Sequence, residues 1–524
     1  MINAYPRLAA AQEALEANRY EEAAQIALTH VRSNPGDARG LALLGTIAMR
    51  MGALGQAEQF LREALKRAPS NISVVHELIS CLQQQERPND TIQLLQTLRE
   101  ANPDDPQIGL LIAVRLDKLG RTDEATQAFQ ELTRKYPNNI NIWLAYAHNL
   151  RSAGQTDAAV QAYRRVTQID PERGDAWWGI ASIRKKVITD DDIATMQQSL
   201  SIAIDVANVA PLHFALARAW HERGEHKKAF HHYSEGNRVR AETLNYNARE
   251  LSEEVDQVER LFDRQYFESA IEGGDPSNAP IFIVSLPRSG STLLEQMLGN
   301  HPDIEPLGEL PYAPALLRSV MEKATRRGIT TIPEAIKALS PADRTALGQE
   351  YLRRAALHRR SDVRRFIDKL PHNWSNILLI HSILPNAHFL DIRRPAMDCC
   401  FSNFTQSFSR AHASSFALAD IGQCYVDYVR YMGHLDRVAP GLVHHVPYEK
   451  LIEEPEPELR SICDYLGLQW SDAPLNFHQS DRAVRTPSAE QVRQPLNRKG
   501  VDVWKPYEQW LGPLREVLGP LADA

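Results

Sequence analysis

The chain has 524 residues, of which 24% are charged and 43% hydrophobic, and a net charge of -7. That length exceeds what one core fills, so two or more domains are expected. The acidic balance argues against nucleic acid as the main partner, and no apolar run approaches the roughly 20 residues of a membrane span. The N-terminus lacks a basic region leading into an apolar stretch, so no signal peptide is read there. Five cysteines, an odd number without metal-ligand spacing, suit a reducing cytoplasm, and the adjacent Cys399 and Cys400 read as core packing.

Proline marks the first region. Pro35, Pro69, Pro103, Pro137 and Pro171 are each 34 residues apart. Gly52, Gly120 and Gly154 keep the same step, with Glu86 in the one gap; Ala57, Ala125 and Ala159 follow, with Thr91 filling in. Leu61, Leu95, Phe129 and Tyr163 mark a large apolar position, and Trp143 and Trp177 repeat once. A helix pair cannot cover its own apolar face, so such units stack and share a core. The period resembles the tetratricopeptide repeat, with glycine between helices A and B and proline ending helix B. A degenerate further unit starts at Pro211 and includes Trp220, Gly224, Ala229 and Phe230; residues 185–205 read as helical but out of register. The expectation is a right-handed α-superhelix over residues 1–245. It serves as a docking groove for a protein or peptide, or as a spacer or dimerisation arm, which leaves a homodimer open.

Residues 246–280 read as a helical linker. Leu251, Val255, Val258, Leu261 and Phe262 have helical spacing, and the turn residues Gly273–Pro280 follow. Residues 281–524 read as an α/β domain with a P-loop-like parallel sheet, whose strands are expected at 281–285, 387–392 and 442–446. After the first strand comes Ser285-Leu286-Pro287-Arg288-Ser289-Gly290-Ser291-Thr292. A strand, tight turn and helix aim backbone N–H groups and the helix dipole at one point, which suits a phosphate. The turn breaks the nucleotide-triphosphate pattern: Ser291 stands where a lysine belongs, and Arg288 is the cation instead. ATP is therefore disfavoured and a single 5′-phosphate fits better. Arg394, just after the second expected strand, and Ser402 are read as a second anion site.

A loop of this kind with a later Arg/Ser site resembles the sulfotransferase superfamily, and within it the tyrosylprotein sulfotransferases and their bacterial relatives fused to tetratricopeptide repeats. The segments PRSGSTLLEQML, HPDIEPLGE, DKLPHNW, RRPAMDCCFSNF and VPYEKLI carry the resemblance as a set. It implies 3′-phosphoadenosine 5′-phosphosulfate as co-substrate and no metal. It also implies roles for individual residues. Arg288 touches the transferred group, and Ser289, Gly290, Ser291 and Thr292 cradle the 5′-phosphosulfate. Glu309 is the base, Lys369 is the catalytic lysine, and Arg394 and Ser402 hold the 3′-phosphate. Tyr448 lies near the cofactor, and Ser488 assists at the phosphosulfate. Two positions depart from the family: its second 3′-phosphate arginine falls on Gln406, and its late lysine has only Lys499 and Lys505 as candidates.

The residue types suit sulfuryl transfer. Cations at the leaving phosphate stabilise charge that grows in the transition state. A phenol, with a pKa of about 10, needs a base at neutral pH. His372, beside the Lys369 motif, is a candidate for the site wall; His381, His388, His444 and His445 have no ligand spacing. Two basic clusters, Arg353 to Arg365 and Arg482 to Lys505, could attract an acidic acceptor. The reading is a sulfotransferase acting on a protein or peptide tyrosine. Alternatives are a carbohydrate, lipid or small-molecule acceptor, a P-loop kinase, and a repeat scaffold whose nucleotide domain is inactive.

Overall fold

The computed structural model describes residues 6–17, 19–69, 71–85, 88–183, 186–202, 205–244, 246–269, 272–408, 410–480 and 492–523. The chain divides into two compact units, Met1–Ala162 and Tyr163–Ala524.

The first unit is helical hairpins. Helices such as Ala38–Arg50 and Leu54–Arg67, or Pro106–Lys118 and Thr122–Lys135, alternate along it. Gly52, Gly120 and Gly154 turn the chain with φ of +76°, +76° and +78°, a conformation costly for any other residue. The spaced prolines sit just past helix ends at Ser33, Arg67, Ala101, Lys135 and Ile169. Leu61, Leu95 and Phe129 are buried, as the repeating apolar position requires. Gly45 lets Leu61 approach: a Cβ there would lie 2.5 Å from Leu61 Cγ.

In the second unit, helices Gly174–Ser182, Asp190–Ile202, Val206–Glu222 and His226–Ala241 precede the sheet. The degenerate unit begins earlier than the sequence suggested: Pro211 lies inside helix Val206–Glu222, not at its start. Helices Ala248–Leu261 and Arg264–Glu268 follow.

The sheet has five parallel strands in the order β2-β3-β1-β4-β5. They are β1 (Pro280–Val284), β2 (Ile304–Pro306), β3 (Arg365–Asp368), β4 (His388–Arg393) and β5 (Val443–Pro447). Three were expected, each within one residue of its place; β2 and β3 were not. β1 is apolar on both faces because both are covered. Phe282 and Val284 join one core with Phe366, Phe389, Trp374 and Tyr428. Ile281 and Ile283 join another with Leu294, Ile367, Leu390 and Leu459. The order of strands reverses direction at β1, so the crevice at its carboxyl end is where an open parallel sheet takes a ligand.

Candidate active site

β1 delivers the chain into the turn 285–290. Arg288 has φ +67° and Gly290 +102°, so the backbone is bent sharply before helix Ser291–Leu298 begins. A left-handed arginine is a strained residue, a feature that concentrates at functional sites. Gly290 is required sterically, because a Cβ there would lie 2.5 Å from Tyr448 Cδ2. Asn403 Nδ2 donates to Pro287 O at 2.7 Å and the Ser285 N–H donates to Pro371 O at 3.1 Å, fixing both ends of the bend.

Arg394 follows β4 and braces the same turn. Its Nη1 donates to Arg288 O at 3.0 Å, its Nη2 lies 3.2 Å from Asp398 Oδ1, and Gly500 O accepts from it. Tyr425 Oη donates to Arg394 O at 2.8 Å, and the Tyr448 ring lies 5.6 Å from the guanidinium. Burial raises the Asp398 carboxyl against the pull of Arg394. Ser402, two turns along helix Ala396–Phe404, accepts from Arg288 Nε at 3.3 Å. The two expected anion sites thus open on one cavity of about 320 Å³, within the usual span of about 300–1,000 Å³ for a small-molecule site. Arg288, Gly290, Thr292, Arg394, Ser402 and Tyr448 all line it. Ser289 and Ser291 are buried, and the Ser289 hydroxyl shares a hydrogen bond with Cys399 Sγ at 3.3 Å.

Lys369 and Glu309 meet at the carboxyl ends of β3 and β2. Lys369 Nζ donates to Glu309 Oε1 at 2.5 Å and lies 3.9 Å from Glu295 Oε2 on the helix after the turn. The Lys369 side chain is 1% exposed and that of Glu309 48%. Asp368 beside it accepts from Tyr351 Oη at 2.6 Å and Leu310 N at 3.3 Å; burial still raises its pKa to about 7.

A second cavity of about 300 Å³ borders the same turn at Leu286 and Pro287. Leu286, Pro287, Trp374, Ile421, His372 and His412 are in its wall. Burial lowers both imidazoles, His412 to about 4, so they are neutral at physiological pH. Two buried atoms of wall residues have no hydrogen-bond partner, the donor Trp374 Nε1 and the acceptor Asn403 Oδ1.

Of the two lysine candidates, Lys499 lines the first cavity, whereas Lys505 pairs with Asp502 at 2.7 Å. Ser488 lies outside the described residues, as do Arg482 and Arg485. The first basic cluster is largely spent internally. Arg353 and Arg354 pair with Glu350, Arg359 lies 3.7 Å from Glu305, and Arg365 is buried and donates to Leu466 O at 2.9 Å. Sequence reasoning missed Arg218, His221 and Phe477 in the cavity wall; no local motif marks them. Among the described residues no group of His, Cys, Asp and Glu is arranged to hold a metal, and no helix is long and apolar enough to cross a membrane.

Residues 280–472 match the model of the Sulfotransferase family, and residues 4–169 match a Tetratricopeptide repeat model. The chain is 33% identical over 336 residues to an uncharacterized protein of Aquifex aeolicus, covering 63% of this chain and 44% of that protein. It is 25% identical over 241 residues to protein-tyrosine sulfotransferase 2 of Gallus gallus, covering 43% of this chain and 62% of that one. The chain therefore spans less than two thirds of either relative's length. A solved sulfotransferase domain from the Synechococcus PCC 7002 olefin synthase is 22% identical over 45% of this chain and 96% of that one, with a TM-score of 0.28, too low to carry an argument.

Proposed function

We propose that the sulfotransferase-family segment, working with the repeats before it, moves a sulfuryl group from 3′-phosphoadenosine 5′-phosphosulfate to a phenolic hydroxyl, the tyrosine of a protein or peptide. The observation that carries this reading is the single cavity shared by the Gly290 turn and the Arg394/Ser402 wall. One end offers the backbone of a bent turn and a helix N-terminus; the other offers a buried guanidinium and a hydroxyl. That suits a nucleotide with phosphates at both its 5′ and 3′ positions. Arg288, Gly290 and Thr292 would hold the 5′ side, and Arg394, Ser402, Tyr448 and Lys499 the 3′ side. The donor supplies the sulfuryl group and its phosphate leaving group.

Glu309 would take the acceptor proton, for it is half-exposed where the buried Lys369 holds one of its oxygens. Lys369 and Arg288 would set positive charge where the leaving phosphate gains negative charge, often the largest catalytic term. Ser488 is kept as an assisting residue on the resemblance alone. The second cavity supports a phenol as acceptor. Its exposed wall is largely apolar, with Trp374 in it, and its imidazoles are neutral. The name of the Gallus gallus relative supports tyrosine. The repeats support docking of the acceptor protein, and five free buried cysteines support a reducing, cytoplasmic setting.

Calorimetry with adenosine 3′,5′-bisphosphate, followed by an acceptor screen with labelled donor, tests the proposal. Binding of the bisphosphate and labelling of a tyrosine peptide are expected. Protection by ATP–Mg instead of the bisphosphate would overturn it. Labelling only of sugars or lipids would move the acceptor.

A further inference from the structure

The family's second 3′-phosphate arginine falls on Gln406, which is not among the described residues lining the cavity. Another arginine is. Arg218 comes from helix Val206–Glu222, in the degenerate repeat, and lines the same cavity as Arg394 and Ser402.

That helix is fastened to the cavity wall. His221 Nδ1 lies 2.7 Å from Tyr507 Oη, and the Tyr507 ring is 4.7 Å from Phe401, between centroids, on the helix that carries Ser402. From the next helix, Asn237 Nδ2 donates to Phe404 O at 2.8 Å and Phe230 stacks on Phe404. The position of Arg218 is therefore set by packing against helix Ala396–Phe404.

The Arg218 guanidinium is incompletely used. Its side chain is 19% exposed and its Nε lies 3.3 Å from Glu222 Oε1, but without hydrogen-bond geometry, so that buried N–H has no hydrogen-bond partner. Burial raises the Glu222 carboxyl against the pull of Arg218. An arginine in the wall of a cavity already holding Arg394 and a serine is suited to an anion.

Resting on the donor reading above, we propose that Arg218 is the second cation of the 3′-phosphate subsite, supplied by the repeat segment where the family uses the position of Gln406. The last repeat hairpin is then part of the donor site and sets its preference for a 3′-phosphorylated nucleotide.

The test is calorimetry of the full chain with adenosine 3′,5′-bisphosphate and adenosine 5′-monophosphate, using the unaltered protein, Arg218→Gln and Arg218→Lys. The unaltered protein should prefer the bisphosphate. Arg218→Gln should weaken the bisphosphate about 10- to 100-fold, the worth of a hydrogen bond to a charged group, and leave the monophosphate within about twofold. The monophosphate titration shows that the site is still folded. Arg218→Lys, which keeps the charge and loses the fork, should fall between. Equal weakening of both nucleotides, or of neither, would overturn the assignment of Arg218 while leaving the donor reading intact. No bisphosphate preference in the unaltered protein would remove the donor reading, and this inference with it.

Discussion

Gly290→Ala tests how tightly the turn is built. The alanine would need φ near +102°, and left-handed backbone costs about 1–2 kcal/mol for a residue with a Cβ. The methyl would also lie 2.5 Å from Tyr448 Cδ2, 2.9 Å from Tyr448 Cε2 and 3.2 Å from Ile392 Cδ1. The ring has little room to retreat, because it packs against Arg394, which is itself tied to Arg288 O and Asp398. Overpacking of that kind costs about 1–3 kcal/mol, so the sum is about 2–5 kcal/mol. Gly224→Ala is the control: φ is +78° and no atom lies within 4 Å of its added Cβ, so only the backbone cost of about 1–2 kcal/mol applies. Urea unfolding of both variants, followed by tryptophan fluorescence, reads the difference. Equal losses would mean that Tyr448 yields freely and that the close approach of turn and ring is not a constraint. A second sign should accompany the instability: Gly290→Ala should lose affinity for adenosine 3′,5′-bisphosphate, and Gly224→Ala should keep it.

Three further outcomes are expected. Glu309→Gln should lower turnover about 10²–10⁴-fold, the usual worth of a general base, while calorimetric affinity for adenosine 3′,5′-bisphosphate stays within a few fold; unchanged turnover would remove Glu309 from the proton transfer. Lys369→Met should cost stability as well as activity, up to about 3–5 kcal/mol, because a nearly buried ion pair with Glu295, at 3.9 Å, is broken. Adding Glu295→Gln should recover stability without turnover, and recovery of both would show that the lysine is structural. Two buried carboxyls should contribute less to stability as pH rises toward neutrality, against buried histidines such as His412, whose contribution rises. Burial raises Glu254 and Asp368 to about 7 in the folded protein, so between about pH 4 and 7 these two carboxyls bind more protons in the folded state than in the unfolded chain. Their contribution is full below about pH 4 and lost through about pH 7. In urea midpoints measured across this range, Glu254→Gln should gain on the unaltered protein as pH rises, and identical slopes for the two would refute the assignment to Glu254.

The central strands were legible because they are buried on both faces and so read as apolar runs: β1 as Pro280–Val284 and β4 as His388–Arg393. β2 was not, being three residues ending in Pro306. β3 hid behind its first residue, Arg365, which looks like surface. Its guanidinium is buried and its donors go to main-chain oxygens of Asn278 and Leu466, so a charge stands where a strand begins. The glycine turn was legible because its geometry is local: a strand, a bend needing φ above zero, a helix.

The meeting of Glu309 and Lys369 follows from register, which no local pattern reveals. β2 and β3 are parallel, with Glu305 opposite Phe366 and Pro306 opposite Ile367. The pairing continues past the strands, where the Leu307 N–H donates to Ile367 O at 2.9 Å and the Lys369 N–H donates to Gly308 O at 2.9 Å. Two chains held in step in this way set Gly308 opposite Lys369 at the carboxyl edge, and the bend at Gly308, with φ +75°, comes just before Glu309. The contact of Glu309 with Lys369 thus depends on two strands that the sequence left unseen and on the glycine bend at the end of the first. Arg218 is the opposite case. It reaches the cavity through rings and side chains packed between helices far apart in the chain, so neither strand register nor a motif spacing points to it. Under the assignment proposed above, the cation expected at the position of Gln406 comes instead from helix Val206–Glu222.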